Sequence, residues 1–164
     1  MKKLWTAFLM ALGMFSAIPL RLKSWDEALR RHMLACLPLV GLVLGALWWA
    51  LALLAKRFLP SLLAGALIAA APFLLTGFIH LDGYMDVTDA VGSCRDLAKR
   101  REILKDSHVG SFAVIGVVLL ILCQFAFCVS FNQKTDIRVL IVIPVVSRCG
   151  SALAVALLPK MSTS

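Results

Sequence analysis

The chain has 164 residues, of which 61% are apolar, and its formal net charge at pH 7 is +8. Soluble domains contain about half apolar residues, so this composition excludes an ordinary soluble domain and predicts an all-α, polytopic transmembrane helical bundle. Lysine and arginine residues flank the apolar runs instead of forming one patch. We therefore interpret them as signals of membrane topology and not as a nucleic-acid surface.

The N-terminal segment, residues 1–33, is ambiguous. Residues 4–20 are apolar and follow two lysines, as in a signal peptide, but no small-x-small cleavage site comes after them. Residues 21–33 are basic and contain Trp25, a composition typical of a segment on the membrane surface. We predict an interfacial or re-entrant N-terminal helix.

Four clear membrane spans are predicted after this segment, because four apolar runs are each near the roughly 20 residues that cross a bilayer. Short connections join the first two spans and the last two, which predicts two helical hairpins in a single domain, residues 1–164. The spans also contain prolines, whose freed carbonyls packed neighbours can satisfy. The predicted spans are residues 34–55, 58–79, 110–131 and 137–158, and the prolines are Pro38, Pro72 and Pro144.

The basic residues favour one topology. If the N-terminal segment does not cross the membrane, twelve lysines and arginines lie on one side and four on the other, with Arg148 inside the membrane. If it does cross, the split is ten to six. The sharper bias favours the first arrangement and places the polar loop of residues 80–109 in the cytoplasm.

Three carboxylates in this loop point to a metal site. Asp82, Asp86 and Asp89 are spaced i, i+4 and i+7, so a helix would place them on one face. Carboxylate oxygens suit hard divalent cations, and acidic residues beside an apolar span are usually functional. We predict a site for a hard divalent cation, magnesium, manganese or calcium, and phosphate chemistry.

Other residues of the loop supply groups that could meet a phosphate. Arg95 and Lys105 are among five cations downstream of the carboxylates, and Asp106, Ser107 and His108 bring an acid, a hydroxyl and an imidazole to the start of the next span. Metal and cation clamps stabilise the charge that develops in phosphoryl transfer. This segment is expected to line the site.

Two residues outside the acidic trio are further candidates. His80 lies two residues before Asp82 and is either a general base or a hydrogen-bonding partner of a carboxylate. Arg148 lies inside an apolar span, where an unpaired cation is costly, so we expect it to face the bundle interior and pair with an aspartate or a phosphate. Ser147 is its predicted companion in the site.

Four stretches together resemble one family. Residues 77–90, GFIHLDGYMDVTDA, resemble the G-x-H-L-D-G-L-A-D-T-x-D-G signature of the cobalamin synthases, the adenosylcobinamide-GDP ribazoletransferases. Residues 101–112 resemble the family's L-E-I-M-K-D-S-R-I-G-T-F, with His108 in place of its arginine. Residues 38–45 resemble its P-L-V-G-x-x-x-G helix, and Ser147-Arg148 matches a later S-R pair. The family's chains are longer at the C-terminus.

The resemblance implies a Mg²⁺-dependent transferase of the cytoplasmic (inner) membrane that joins adenosylcobinamide phosphate to α-ribazole or its 5′-phosphate and releases GMP. Lys105 and Arg148 would hold phosphate oxygens, and His80 or a carboxylate such as Asp82 would accept the proton of the nucleophile. Arg95, Asp106, Ser107 and Ser147 would bind substrate. Its partners would be the GDP-linked corrinoid, α-ribazole and membrane lipid, with a homo-oligomer or other corrinoid-pathway enzymes as further possibilities.

Three other interpretations stay open at this point. A CDP-alcohol phosphatidyltransferase also uses spaced aspartates, but its motif has Ala-Arg two residues after the D-G pair, where this chain has Asp86-Val87. A membrane prenyltransferase uses D-x-x-x-D carboxylates. A non-catalytic membrane partner or ion transporter could use the buried acids and Arg148 as a pathway.

Overall fold

The structure, a computed structural model, describes residues 2–20, 26–130 and 136–159. These residues form seven α-helices and one 3₁₀ turn, without a β-strand in the described ranges, which confirms the predicted all-α class. The 3₁₀ turn is Glu27–Leu29. The helices are α1 (Lys2–Phe15), α2 (Arg30–Phe58), α3 (Ser61–Leu75), α4 (Ile79–Gly92), α5 (Leu97–Ile103), α6 (Ser111–Val129) and α7 (Val139–Leu157).

Three stretches are long and apolar enough to cross a membrane, namely residues 27–58 together with α6 and α7. The predicted span at residues 58–79 is not one straight helix. Its helix α3 has 15 residues, about 22 Å of helix against a hydrocarbon core of about 30 Å, and it bends by 88° into α4. The four predicted spans are therefore three, or four when this bent pair counts as one.

Helix α1 is too short to cross a bilayer, since its 14 residues extend about 21 Å. Its small face, with Ala7 and Ala11 fully buried, packs against α2 around Val40. After α1 the backbone N–H of Ala17 donates to the carbonyl of Leu75 at 2.8 Å. The segment after α1 is thus held against the end of α3.

The predicted surface segment at residues 21–33 differs from the observed structure where it is described. Residues 21–25 lie outside the described ranges, and Arg30 already begins α2. Asp26 caps the preceding 3₁₀ turn by accepting a hydrogen bond from the Ala28 N–H at 2.9 Å. The cap and the turn lead directly into a long helix, so the polar residues 30–32 belong to the first turn of a candidate span.

Two glycines let α2 approach α7 closely. A Cβ atom on Gly41 would lie 2.6 Å from the carbonyl oxygen of Pro144, and one on Gly45 would lie 2.5 Å from that of Ile141. Small residues four apart permit such backbone contact between membrane helices. Since the chain positions run in opposite directions, the two helices are antiparallel, and their contact fixes the face of α7 that turns inward.

Pro72 lies inside α3, and a neighbouring helix supplies the hydrogen-bond donor that this proline lacks. Proline has no N–H to donate to the carbonyl four residues earlier, and here the indole N–H of Trp48 donates to that carbonyl, on Ile68, at 2.8 Å. The side-chain amide of Gln124 donates to the adjacent carbonyl of Ala69 at 2.8 Å. These bonds tie α2, α3 and α6 together and confirm the expectation for this proline.

Candidate functional site

Helix α4 carries the acidic motif. It begins at Ile79, directly after a turn in which Gly77 and Phe78 adopt positive φ angles of 60° and 64°. The predicted helical placement of the three aspartates is confirmed, because α4 contains all of them. Asp82 and Asp86 are exposed and lie one turn apart.

Asp89 has a different environment from the other two carboxylates. Its side chain is buried, with Oδ2 accepting a hydrogen bond from the backbone N–H of Gly110 at 2.5 Å and Oδ1 accepting one from that of Ala113 at 2.9 Å. The first N–H groups of a helix have no partner within the helix. Asp89 therefore caps the N-terminus of α6 and joins α4 to it.

The predicted three-carboxylate metal set is divided by this contact. Among the residues that the structure describes, no three His, Cys, Asp or Glu side chains are grouped so that they could hold a metal ion. Gly110 is part of the reason, since a Cβ atom there would lie 2.5 Å from the Asp89 carboxylate. Sequence reasoning gave Asp89 the correct helix face but missed its partner on α6.

A cavity of about 510 Å³ lies between α2, α3, α6 and α7, and the first turn of α4 reaches its edge. Its wall is mostly apolar and includes the aromatic rings of Trp48, Phe73 and Phe127. Neither Asp82 nor Asp86 lines it. The polar side chains that do line it are Thr76, His80, Gln124, Ser147, Arg148 and Ser151.

Arg148 faces this cavity and is only 6% exposed, which confirms that it points to the bundle interior. The predicted pairing with an aspartate is not observed, since no carboxylate of the described ranges lies within ion-pair distance of its guanidinium. Instead its Cζ lies 6.0 Å from the centre of the Phe15 ring, within reach of a cation–π interaction.

Phe15 also contacts the second polar residue of this region. Its ring stacks on the His80 ring with the centroids 6.4 Å apart and the planes at 6°. The last residue of α1 therefore lies against both His80 and Arg148. Sequence reasoning did not single out Phe15, because one aromatic residue in an apolar run gives no signal of such a contact.

The segment before α6 is exposed and lies outside the cavity. The carboxylate Oδ1 of Asp106 accepts a hydrogen bond from the His108 backbone N–H at 3.0 Å and lies 2.6 Å from His108 Nδ1. This side-chain hydrogen bond raises the pKa of His108 above its usual value and lowers the pKa of Asp106 below its usual value. The histidine therefore carries its positive charge to a higher pH than a free imidazole.

The remaining predicted site residues are divided between these two regions. His80, Ser147 and Arg148 meet at the cavity. Arg95, Lys105, Asp106 and Ser107 are exposed in the α4–α6 connection and do not line it.

Comparison with known proteins identifies the family. Residues 7–164 match the family model described as cobalamin-5-phosphate synthase. The chain is 48% identical to the adenosylcobinamide-GDP ribazoletransferase of Clostridium perfringens, over 90% of this chain and 60% of the relative. It is 39% identical to the protein of the same name from Clostridium botulinum, with the same two coverages, and 35% identical to that of Geobacillus kaustophilus, over 93% of this chain and 60% of the relative.

No solved structure matches the chain significantly. The chain spans about 60% of the length of the curated relatives it matches. The family match nevertheless covers the whole of α2 to α7, including the acidic motif on α4 and the arginine at the cavity. The chain therefore belongs to the cobalamin-5-phosphate synthase family.

Proposed function

We propose that this chain acts as a membrane transferase that joins adenosylcobinamide phosphate, from adenosylcobinamide-GDP, to α-ribazole or its 5′-phosphate and releases GMP, a late step of cobalamin biosynthesis. The observation that carries the proposal is the family match over residues 7–164 to proteins named for this reaction. The exposed carboxylates of α4 support it, and so does the largely apolar cavity that His80 and Arg148 line, because the reaction needs a site for a diphosphate and a site for an acceptor.

Magnesium is part of the proposal. Protein-bound Mg²⁺ is usually held by one or two carboxylates together with substrate phosphate oxygens, and Asp82 and Asp86 provide two exposed carboxylates one helical turn apart. The donor set fits the ion. Bound there, Mg²⁺ would neutralise charge on the diphosphate and on the leaving GMP. We assign Asp89 to capping α6, since both of its oxygens already accept backbone hydrogen bonds.

The chain's own residues would carry the proton and the phosphate. A ribose hydroxyl of the acceptor attacks the phosphorus bonded to cobinamide, the bond from that phosphorus to the GMP oxygen breaks, and GMP leaves with the electron pair. His80, at the edge of the cavity, would accept the proton of the hydroxyl. Lys105 and Arg95 would contact diphosphate oxygens, with Asp106 and Ser107 placing the segment that carries them.

We further propose that the protein lies in the cytoplasmic (inner) membrane with residues 80–109 in the cytoplasm. The distribution of basic residues supports this orientation. It would give the GDP-linked corrinoid access to α4 from the aqueous side, with membrane lipid around α6 and α7. Association with a second copy or with other corrinoid-pathway enzymes belongs to the same proposal.

The function is tested with the purified chain in lipid nanodiscs, supplied with adenosylcobinamide-GDP, α-ribazole 5′-phosphate and Mg²⁺. We expect GMP and a corrinoid of the joined mass, and we expect Asp82→Ala to abolish both while membrane insertion stays intact. Asp136→Ala is the matched control, because Asp136 is also exposed but lies before α7, remote from the motif in the chain. Full activity of Asp82→Ala, or release of CMP or pyrophosphate from other donors in place of GMP, would contradict the proposal.

A further inference from the structure

We propose that the cavity between α2, α3, α6 and α7 is the acceptor site, and that Arg148 recognises the acceptor's own phosphate and not the phosphate that is transferred. This inference rests on the proposed function and names the substrate that enters the cavity. It makes Arg148 a specificity-determining residue that favours a phosphorylated aromatic nucleoside over the free nucleoside.

The size and lining of the cavity select the acceptor. Its volume, about 510 Å³, lies within the range of about 300 to 1,000 Å³ typical of small-molecule sites. The donor carries a corrin macrocycle, an adenosyl group and a nucleoside diphosphate, which together are far larger. The acceptor is one aromatic base with one ribose, and the rings of Trp48, Phe73 and Phe127 offer an apolar wall to such a base.

The polar atoms of the cavity suit the rest of that molecule. The side-chain amide nitrogen of Gln124 donates a hydrogen bond to the Ala69 carbonyl. Its side-chain oxygen can therefore accept a hydrogen bond from a ribose hydroxyl. The hydroxyl of Ser151 donates to the carbonyl of Ser147 at 3.1 Å. Arg148 is the cation among the residues that line the cavity.

Arg148 requires an anion that the described part of the chain does not supply. Its side chain is buried, with only 6% of the residue's surface exposed, and it faces the cavity. Its observed partner is the face of the Phe15 ring. A buried guanidinium without a carboxylate is costly within a membrane, and a phosphate matches its planar donor fork as a carboxylate does.

The position of Arg148 argues for the acceptor's phosphate. The two carboxylates assigned to the donor diphosphate, Asp82 and Asp86, lie outside the cavity, and His80 is the residue of α4 that lines it. His80 and Arg148 both lie against the Phe15 ring, so an acceptor whose phosphate is held by Arg148 would be within the same part of the cavity as His80.

The test is equilibrium dialysis of the chain in zwitterionic nanodiscs with α-ribazole 5′-phosphate or α-ribazole, without donor or Mg²⁺. We expect the wild type to prefer the phosphorylated acceptor by about tenfold or more, as charge-assisted hydrogen bonds imply. Arg148→Gln should bring that ratio to about one by weakening the phosphorylated acceptor alone, and Arg148→Lys should retain part of it. Arg138→Gln is the matched control, since Arg138 is an exposed arginine paired with Asp136 at the start of α7.

A second variant covers the case in which Arg148→Gln does not fold. Ser151→Phe fills the cavity without changing charge and should weaken both acceptors equally, by about tenfold or more. Equal binding of both acceptors to the wild type, an equal loss of both in Arg148→Gln, or unchanged binding in Ser151→Phe would overturn the inference. So would loss of the preference when anionic phospholipid replaces zwitterionic lipid, because Arg148 would then hold a lipid headgroup.

The two proposals fail separately. Phosphate-dependent binding that needs Arg148, in a chain that releases no GMP, would refute the proposed transfer reaction and leave the acceptor site standing. GMP release by a chain whose acceptor binding does not depend on Arg148 would refute the acceptor site alone.

Discussion

At the scale of single residues, the charged groups among apolar neighbours have different partners, and their partners decide their roles. The carboxylate of Asp89 accepts hydrogen bonds from two backbone N–H groups at the start of α6. The guanidinium of Arg148 instead lies against the Phe15 ring and faces the cavity. The cost of burying a charge predicts from sequence that Arg148 turns inward. It does not predict the partner of Asp89, since Gly110 is distant in the chain and only the packing of α4 on α6 brings it there.

A prediction at this scale concerns His108, which stands where the family motif has arginine. Its hydrogen bond with Asp106 raises the pKa of the imidazole, so the stabilisation it gives is complete below the pKa of an unfolded histidine and is lost as pH rises through the raised folded pKa. The stabilisation from the Asp106 carboxylate depends on pH in the opposite direction, because the pKa of Asp106 is lowered. That stabilisation is lost as pH falls through the lowered pKa. We therefore expect Asp106→Asn to lower the pKa of His108, measured by histidine NMR titration.

The control for this titration is Asp96→Asn, which removes another exposed carboxylate of the same loop, one that caps α5 through the Lys99 N–H. It should leave the His108 titration where it is in the wild type. An unchanged pKa of His108 in Asp106→Asn would show that the observed hydrogen bond does not set its charge.

At the scale of elements, the long helices follow from sequence and the bend between α3 and α4 does not. Uniform apolar runs longer than about 18 residues fix α2, α6 and α7 as spans, whatever their partners. The turn at Gly77 and Phe78 needs positive φ at both residues, and only the glycine hints at it. The bend makes α4 a separate helix whose first turn reaches the cavity.

A prediction at this scale tests the contact that holds α4 on α6. Asp89→Asn replaces one acceptor oxygen by a donor group, so one N–H of α6 loses its partner, and we expect about 1 to 3 kcal/mol of destabilisation. Gly110→Ala should destabilise the same contact by placing a Cβ atom against the carboxylate. The double variant should cost less than the sum of the two, because each change disrupts the same interaction.

The measurement is the free energy of unfolding of the single and double variants in detergent, with Gly83→Ala as the control. Gly83 lies on the same helix with open space around its Cα, and alanine there should be neutral or stabilising. Additive costs in the double variant, or a wild-type stability of Asp89→Asn, would remove the capping role from Asp89.

At the scale of the whole molecule, α2 organises the bundle by contacting α1, α3 and α7. Helix α4, which carries the acidic motif, packs mainly against α6 and also contacts α3. Composition and charge bias predict the membrane class and a non-spanning N-terminus, since both depend on sums over many residues. The cavity is not predictable in this way. Its walls come from four helices distant in sequence, and its existence depends on helix crossings that two glycines in α2 permit.

We propose that Asp82 and Asp86 on α4 hold the donor diphosphate through a divalent cation. The most direct measurement is equilibrium binding of adenosylcobinamide-GDP to the chain, with and without Mg²⁺ and without acceptor. We expect Mg²⁺ to strengthen donor binding to the wild type by about tenfold or more, Asp82→Ala and Asp86→Ala to lose this dependence on Mg²⁺, and Asp89→Asn to keep it. Mg²⁺-independent donor binding by the wild type, or an undiminished Mg²⁺ effect in both alanine variants, would contradict it.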